Sequence, residues 1–315
     1  MPSSSVCTFT DPDHYAASFR ATTADLTIVG RGRFAAKLTR VDLHDLSMGW
    51  FSERLPRVAH VEVLAGRANL AFRTQPGSSL VTSGLELHQS DILQRGDGHD
   101  YFQQSSGPAQ FGSLSLAMEK LALVGSEVAG CDLTPAKGAL TVTPRPFAMV
   151  RLQQLHDAAG TLAEDAPAVI ANPEAARGLE QALIGAMVEC LGRGAVNEDR
   201  SALRQHAAIM RRFHGAIEGH LDQPLYIPEL CAEIGASERT LRVCCQEHLG
   251  MSPKRYLMMR RMHLARTALR ASDAIETTVT EIATRYGFWQ FGRFAGEYKA
   301  LFGESPSTVL ARPAE

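Results

Sequence analysis

No stretch of the 315 residues reaches the roughly 18 uninterrupted apolar residues that a membrane helix needs, so no membrane partner is expected. The start, Met1 to Ser5, lacks a basic residue leading into an apolar run, which argues against a secretory leader and for a cytoplasmic protein. Cysteine is present without a pattern. Cys7, Cys131, Cys190, Cys231, Cys244 and Cys245 form no C-x-x-C pair and no zinc spacing, so all six are expected as reduced thiols. The histidines include no His-x-His pair, which speaks against a β-barrel metal oxygenase; His44, His60, His88 and His99 read as satisfied core or surface groups. There is no Gly-x-Ser-x-Gly elbow and no P-loop. Residues 30–35 match G-x-G-x-x-A, but β-prone residues follow where a helix should start, so a turn is the better reading. These absences leave no catalytic, metal or cofactor site to expect.

What is present is an ordinary globular balance, 45% hydrophobic and 21% charged, over a length that suits about two domains. The net charge of −2 hides an asymmetry. Residues 201–315 hold 15 Lys/Arg against 12 Asp/Glu, whereas residues 1–200 hold 17 against 22. Within 253–270 stand Lys254, Arg255, Arg260, Arg261, Arg266 and Arg270 with no acid among them. A basic C-terminal part is compatible with nucleic acid.

Residues 25–116 read as short β-prone runs. Phe34, Ala36 and Leu38 alternate with polar neighbours, and 58–64, 68–73 and 111–116 are further runs. Gly66, Gly84, Gly96, Gly98 and the Pro76-Gly77 and Gly107-Pro108 pairs punctuate them. This spacing predicts an antiparallel sandwich or barrel. Helical patterns follow over 117–129, 146–164 and 173–191. The last two open on proline and carry one-faced apolar sets, Met149, Leu152 and Leu155, then Leu179, Leu183 and Met187. They are expected to pair with each other or with a second copy. Residues 192–199 read as linker, and the rest is helical in pattern.

A short pattern occurs twice in that helical part. Leu230, Cys231 and Gly235 are followed by Leu241 and by Gly250-Met251-Ser252-Pro253; Ile282, Ala283 and Gly287 are followed by Phe294 and by Gly303-Glu304-Ser305-Pro306. A fixed-period repeat implies one supersecondary unit used twice. Each copy has helix-turn-helix chemistry. The small residue lets a second helix cross closely, and the glycine four positions on supplies a left-handed turn. Ser237 can cap the next helix, with Glu238 in its first turn. Leu241, Cys245 and His248 or Leu249 then face inward, as do Phe294, Tyr298 and Leu301.

The outward face of the first recognition helix is accordingly Arg239, Arg242, Val243 and Gln246. Arginine and glutamine can each make two hydrogen bonds to a base edge in the major groove. Lys254 and Arg255, opening the basic connecting helix, are expected on phosphates. The second recognition helix offers Gln290, Phe291 and Arg293 near its start, then Gly292, Ala295 and Gly296 without hydrogen-bonding side chains, and Lys299. Its glycines admit close approach of a duplex, whose phosphates Lys299 and the helix N-terminus would hold. The first unit is expected to read bases more strongly than the second.

Residues 225–241, 253–257, 282–294 and 302–306 resemble the AraC/XylS family of bacterial regulators, over about 100 residues. The stretch from Gly287 to Ala295 is similar to a branch that includes ethanolamine-utilisation regulators. Cys244 and Cys245 depart from the family pattern, which has larger apolar or aromatic residues there. The resemblance implies an α+β protein. Residues 1–190 would be a cupin-like β-barrel with helices for effector binding and dimerisation, 191–204 a linker, and 205–310 an all-α DNA-binding domain with two helix-turn-helix units. It implies double-stranded DNA, RNA polymerase and a small-molecule effector as partners, in a homodimeric activator at the nucleoid. A metal-free small-molecule enzyme fused to a DNA-binding module is the alternative.

Overall fold

The computed structural model describes residues 1–96, 100–135, 140–198, 201–220 and 225–312. Gly98, His99 and Asp199 lie outside the described residues. Among the described residues the β-prone runs form two antiparallel sheets, the sandwich of the two alternatives that the spacing predicts, and not a closed barrel. The larger contains β1 (Ser3–Phe9), β3 (Ala36–Asp42), β4 (Ser47–Glu53), β11 (Ala109–Ala117), β6 (Arg67–Arg73), β9 (Ile92–Arg95), β12 (Leu140–Thr143) and β13 (Ala195–Glu198), in that order. The smaller contains β2 (Thr22–Ile28), β5 (Arg57–Val63), β10 (Asp100–Ser105), β7 (Leu80–Thr82) and β8 (Leu85–Glu86). Each sheet keeps two end strands, so the ladder does not close.

Strand β11 shows why the larger sheet is buried on both faces. Leu114 lies opposite Met48 on β4 and Leu70 on β6. With Leu116 they join a core that includes Met149, Leu152, Leu183 and Met187 from helices. The period of two sends Phe111, Ser113 and Ser115 to the other face, where Phe111 stacks on Phe51 at 4.7 Å between the sheets. The covering helices are α3 (Pro146–Asp165) and α5 (Pro173–Gly192), which pack on each other as one of the two expected alternatives has it. Before them come α1 (Pro12–Ala17) and α2 (Met118–Val124), the latter running into a π-helical turn at Gly125–Ala129; α4 (Pro167–Ala171) bridges α3 and α5.

The stretch read as a linker is corrected. Ala195–Glu198 pairs antiparallel with β12, with Ala195 opposite Thr143, and helix α6 (Ser201–Glu218) starts inside 191–204. Polar β-branched residues on β12 and only four residues on β13 give no alternation long enough to read. After α6 follow α7 (Ile227–Ile234), α8 (Glu238–Leu249), α9 (Pro253–Ala271), α10 (Val279–Arg285), α11 (Phe291–Phe302) and α12 (Pro306–Leu310). Among the described residues no helix is long and apolar enough to cross a membrane.

Candidate nucleic-acid interface

The doubled pattern is a doubled set of helix caps. Gly235 ends α7 at φ 64°, and the Ser237 hydroxyl accepts from the Thr240 amide at 3.1 Å to open α8. Gly250 ends α8 at φ 68°, Ser252 accepts from the Arg255 amide, and Pro253 stands in the first turn of α9. The second copy repeats the sequence of events. Gly287 turns the chain after α10 at φ 75°, Gly303 ends α11 at φ 77°, and Ser305 with Pro306 opens α12. Thr278 and Glu281 add a reciprocal capping box at the start of α10. Glycine–x–serine–proline is thus a left-handed stop, a side-chain cap and a preset first-turn dihedral in four residues.

These caps fix which face of each recognition helix is left over. On α8, Leu241, Cys244, Cys245, His248 and Leu249 are buried. Ser237, Glu238, Arg239, Arg242, Val243 and Gln246 are exposed, on the opposite side of the same helix. Arg242 donates to Glu238 at 2.7 Å across one turn, a solvated pair that a base could displace at small cost. On α11, Phe294, Tyr298, Leu301 and Phe302 are buried, and Gln290, Phe291, Gly292, Arg293, Gly296 and Lys299 are exposed. Arg293 donates to Glu297 at 2.8 Å. A Cβ added at Gly292 or Gly296 would meet nothing within 4 Å, so the fold itself does not require glycine there. Trp289, 73% exposed just before α11, adds a large aromatic surface that helix-face reasoning passes over because it precedes the helix. Lys254 and Arg255 are exposed at the start of α9.

The remainder of α9 departs from a solvated basic connector. Arg260 is buried, and its guanidinium donates to Asp25 on β2 and to Glu218 on α6. Arg266 donates to Asp11 at 2.9 Å, and Arg270 donates to the same carboxylate. Burial alone would raise the Asp11 pKa; the His14 amide and the Arg266 guanidinium outweigh that and hold it below the usual range. Three of the six cations in the basic connecting helix therefore serve the seam with the sheets. Their partners, Asp11, Asp25 and Glu218, lie 42 to 259 positions away, so no local pattern announced them.

The seam continues along α6 and α8. Val58 and Phe102 from the smaller sheet belong to the same core as Cys244, Cys245, Leu241 and Phe213. The small Cys244-Cys245 pair thus sits in a core completed by side chains from the sheets. Burial pushes the Cys244 thiol up to about 11 and Cys245 higher still, so both are unreactive neutral groups. His214 on α6 stacks on His60 at 3.5 Å, and His60 pairs with Asp100 at 3.1 Å. Burial, with His60 beside it, lowers His214 to about 4. His263 Nε2 donates to the Ile28 carbonyl at 3.0 Å, and burial lowers it likewise to about 4. Among the described residues no group of three His, Cys, Asp or Glu side chains is placed to hold a metal ion.

A family model described as a helix-turn-helix domain matches residues 230–312. The probable thc operon regulatory protein of Rhodococcus erythropolis is 41% identical over 132 residues, which is 39% of this chain and 40% of that protein. XylDLEGF operon transcriptional activator 2 of Pseudomonas putida is 32% identical over 115 residues, 36% of this chain and 73% of that protein. A solved structure of a probable AraC family transcriptional regulator from Rhodopseudomonas palustris CGA009 is 35% identical; the match covers 33% of this chain and 98% of that one, at a TM-score of 0.30. This chain thus spans well under two thirds of the Rhodococcus relative.

Proposed function

Since this chain belongs to the AraC/XylS family of helix-turn-helix transcriptional regulators, we propose that it binds a specific DNA sequence and activates transcription in response to a small effector. The observation that carries this reading is the pair of capped units, each with one face buried and the opposite face polar or open to solvent. Helix α9 has 19 residues. At 1.5 Å per residue it is about 28 Å long, near the ~34 Å between successive major-groove faces. In this reading α8 and α11 enter adjacent grooves on one side of the duplex. Arg239, Arg242 and Gln246 read base edges, Val243 meets a thymine methyl, and Ser237 and Glu238 set the start of the helix against the backbone. Lys254, Arg255 and Lys299 hold phosphates. Gln290, Phe291, Gly292, Arg293 and Gly296 form the shallower second contact.

Residues 1–190 then serve as the effector-binding and dimerising part, and 205–310 as the DNA-binding part, with β13 tying the connection to the larger sheet. Exposed Phe147 and Val150, one turn apart on α3, support a homodimer through that helix layer. RNA polymerase is the further partner an activator requires, and the protein acts in the cytoplasm at the nucleoid. The test is selection of a randomised duplex library by the full chain, followed by affinity against salt. We expect one enriched site with two half-sites about one helical turn apart, and log K falling linearly with log salt. Binding without any enriched sequence would sink the reading.

A further inference from the structure

Four guanidinium groups line one cavity of about 350 Å³ at the seam between the sheets and the C-terminal helices. Arg33 comes from the loop before β3, Arg266 and Arg270 from the second half of α9, and Arg312 from beyond α12. Among the described residues two carboxylates, Asp11 and Glu304, stand in the lining against the four cations. Asp11 accepts from Arg266 and Arg270, and Glu304 accepts from Arg312 at 2.6 Å. Arg33 is exposed at the rim and has no ion pair among the described residues.

The four cations exceed the two carboxylates of the lining, and Arg33 and Arg312 are the exposed pair among them. An anion with several acceptor oxygens neutralises that surplus and engages the guanidinium forks. The space suits it, lying at the small end of ligand pockets. Between the sheets, by contrast, the Phe51–Phe111 stack and the bonds of Arg57 to Glu53 and Gln103 leave only about 80 Å³.

We propose that this seam cavity binds a small dianion, a short dicarboxylate or a phosphate monoester, clamped by Arg33 on one side and by Arg266, Arg270 and Arg312 on the other. Arginine suits this task because its planar fork matches carboxylate and phosphate oxygens. The position gives binding a consequence. The Gly32 amide donates to the Leu301 carbonyl in the last turn of α11 at 3.1 Å, on the same wall. A Cβ at Gly303 would press on Arg33 Cγ at 3.0 Å, so the 32–33 loop rests on the end of the second recognition helix. A dianion therefore ties the second helix-turn-helix unit to the sheets. This consequence rests on the regulator reading; the binding itself does not, and it is measured with no DNA present.

The experiment is calorimetric titration and thermal unfolding of the full chain with succinate, inorganic phosphate and glycerol phosphate. Acetate and chloride at matched ionic strength are the controls, since screening alone acts on all ions. We expect saturable binding and a raised midpoint with at least one dianion and neither with acetate. Succinate without the phosphates, or the reverse, upholds the site and names the source. Arg33→Ala, at an exposed and unpaired position, should leave the ligand-free midpoint unchanged and weaken the dianion at least about fivefold, the loss of one charge-assisted contact. Equal effects of monoanions and dianions, or unaltered dianion binding by Arg33→Ala, would overturn the proposal.

Discussion

In the proposed reading, exposed cations on α8 and at the start of α9 do two separable jobs on a duplex, and single substitutions distinguish them. Arg242 stands mid-face on α8, paired with Glu238 across a turn. A bidentate base contact discriminates by about 1–3 kcal/mol. Arg242→Ala is expected to relax preference at one base pair by that amount, read from a randomised half-site. Lys254→Ala or Arg255→Ala should instead lower affinity for specific and random duplexes about equally and flatten the salt dependence, because phosphate contacts position without reading sequence. A change of preferred base with either variant would refute its assignment. Within α11 the open face at Gly292 and Gly296 leaves Gln290 and Arg293 as its polar reach at the N-terminal end, so the half-site under α8 should hold more sequence information.

The helix ends were legible because capping is local chemistry, written within four consecutive residues. Position 250 shows where local chemistry meets the fold. Gly250 adopts φ 68° and lies against Gln104 of β10, whose amide donates to the Glu247 carbonyl at 3.2 Å. Gly250→Ala should destabilise by about 1–2 kcal/mol, through left-handed strain and displacement of Gln104. Paired with Gln104→Ala, the loss should be smaller than the sum, measured by a denaturation cycle; full additivity would mean that the two do not touch. Along α9 the same basic composition serves two roles. Arg260 is buried between Asp25 and Glu218. Arg260→Ala should cost about 1.5–3 kcal/mol, the range for hydrogen bonds to charged groups, while Lys254→Ala leaves stability nearly unchanged. Equal thermal midpoints for the two variants would contradict the division of α9.

The assembled molecule stores neutral histidines. His156 Nε2 donates to the Gly49 carbonyl at 3.0 Å beneath α3, and burial lowers its pKa to about 4. His214 and His263 at the seam, and His248 on α8, are lowered to about 4 by burial as well. The unfolded chain takes up these protons near pH 6.5, the folded one only near 4. The stability they contribute is full above about 6.5 and is lost as pH falls from there towards 4. Unfolding midpoints measured from pH 8 to 4 should therefore drop over that window, and His214→Gln should shallow the drop; a flat profile would exclude it. Sedimentation of the full chain at micromolar concentration should show a dimer, and a monomer would count against the helix-layer interface.

Local order in the chain was enough to reveal a doubled helix-turn-helix, because its signals are short-range: glycine stops, serine caps and apolar residues at helical spacing. It was enough to predict a β-rich first half built as a sandwich or a barrel, and too little to choose between the two. Strands β1, β12 and β13 escaped notice because their partners, not their own alternation, make them strands; β13 finds its register on β12 some 55 positions earlier. The role of α9 lay wholly outside sequence reach. Six basic residues without an acid read as one charged face, yet the direction of each is set by where Asp11, Asp25 and Glu218 arrive once the two halves dock. An ion pair is a statement about distance in space, and chain separation carries almost no information about that distance until the core has formed.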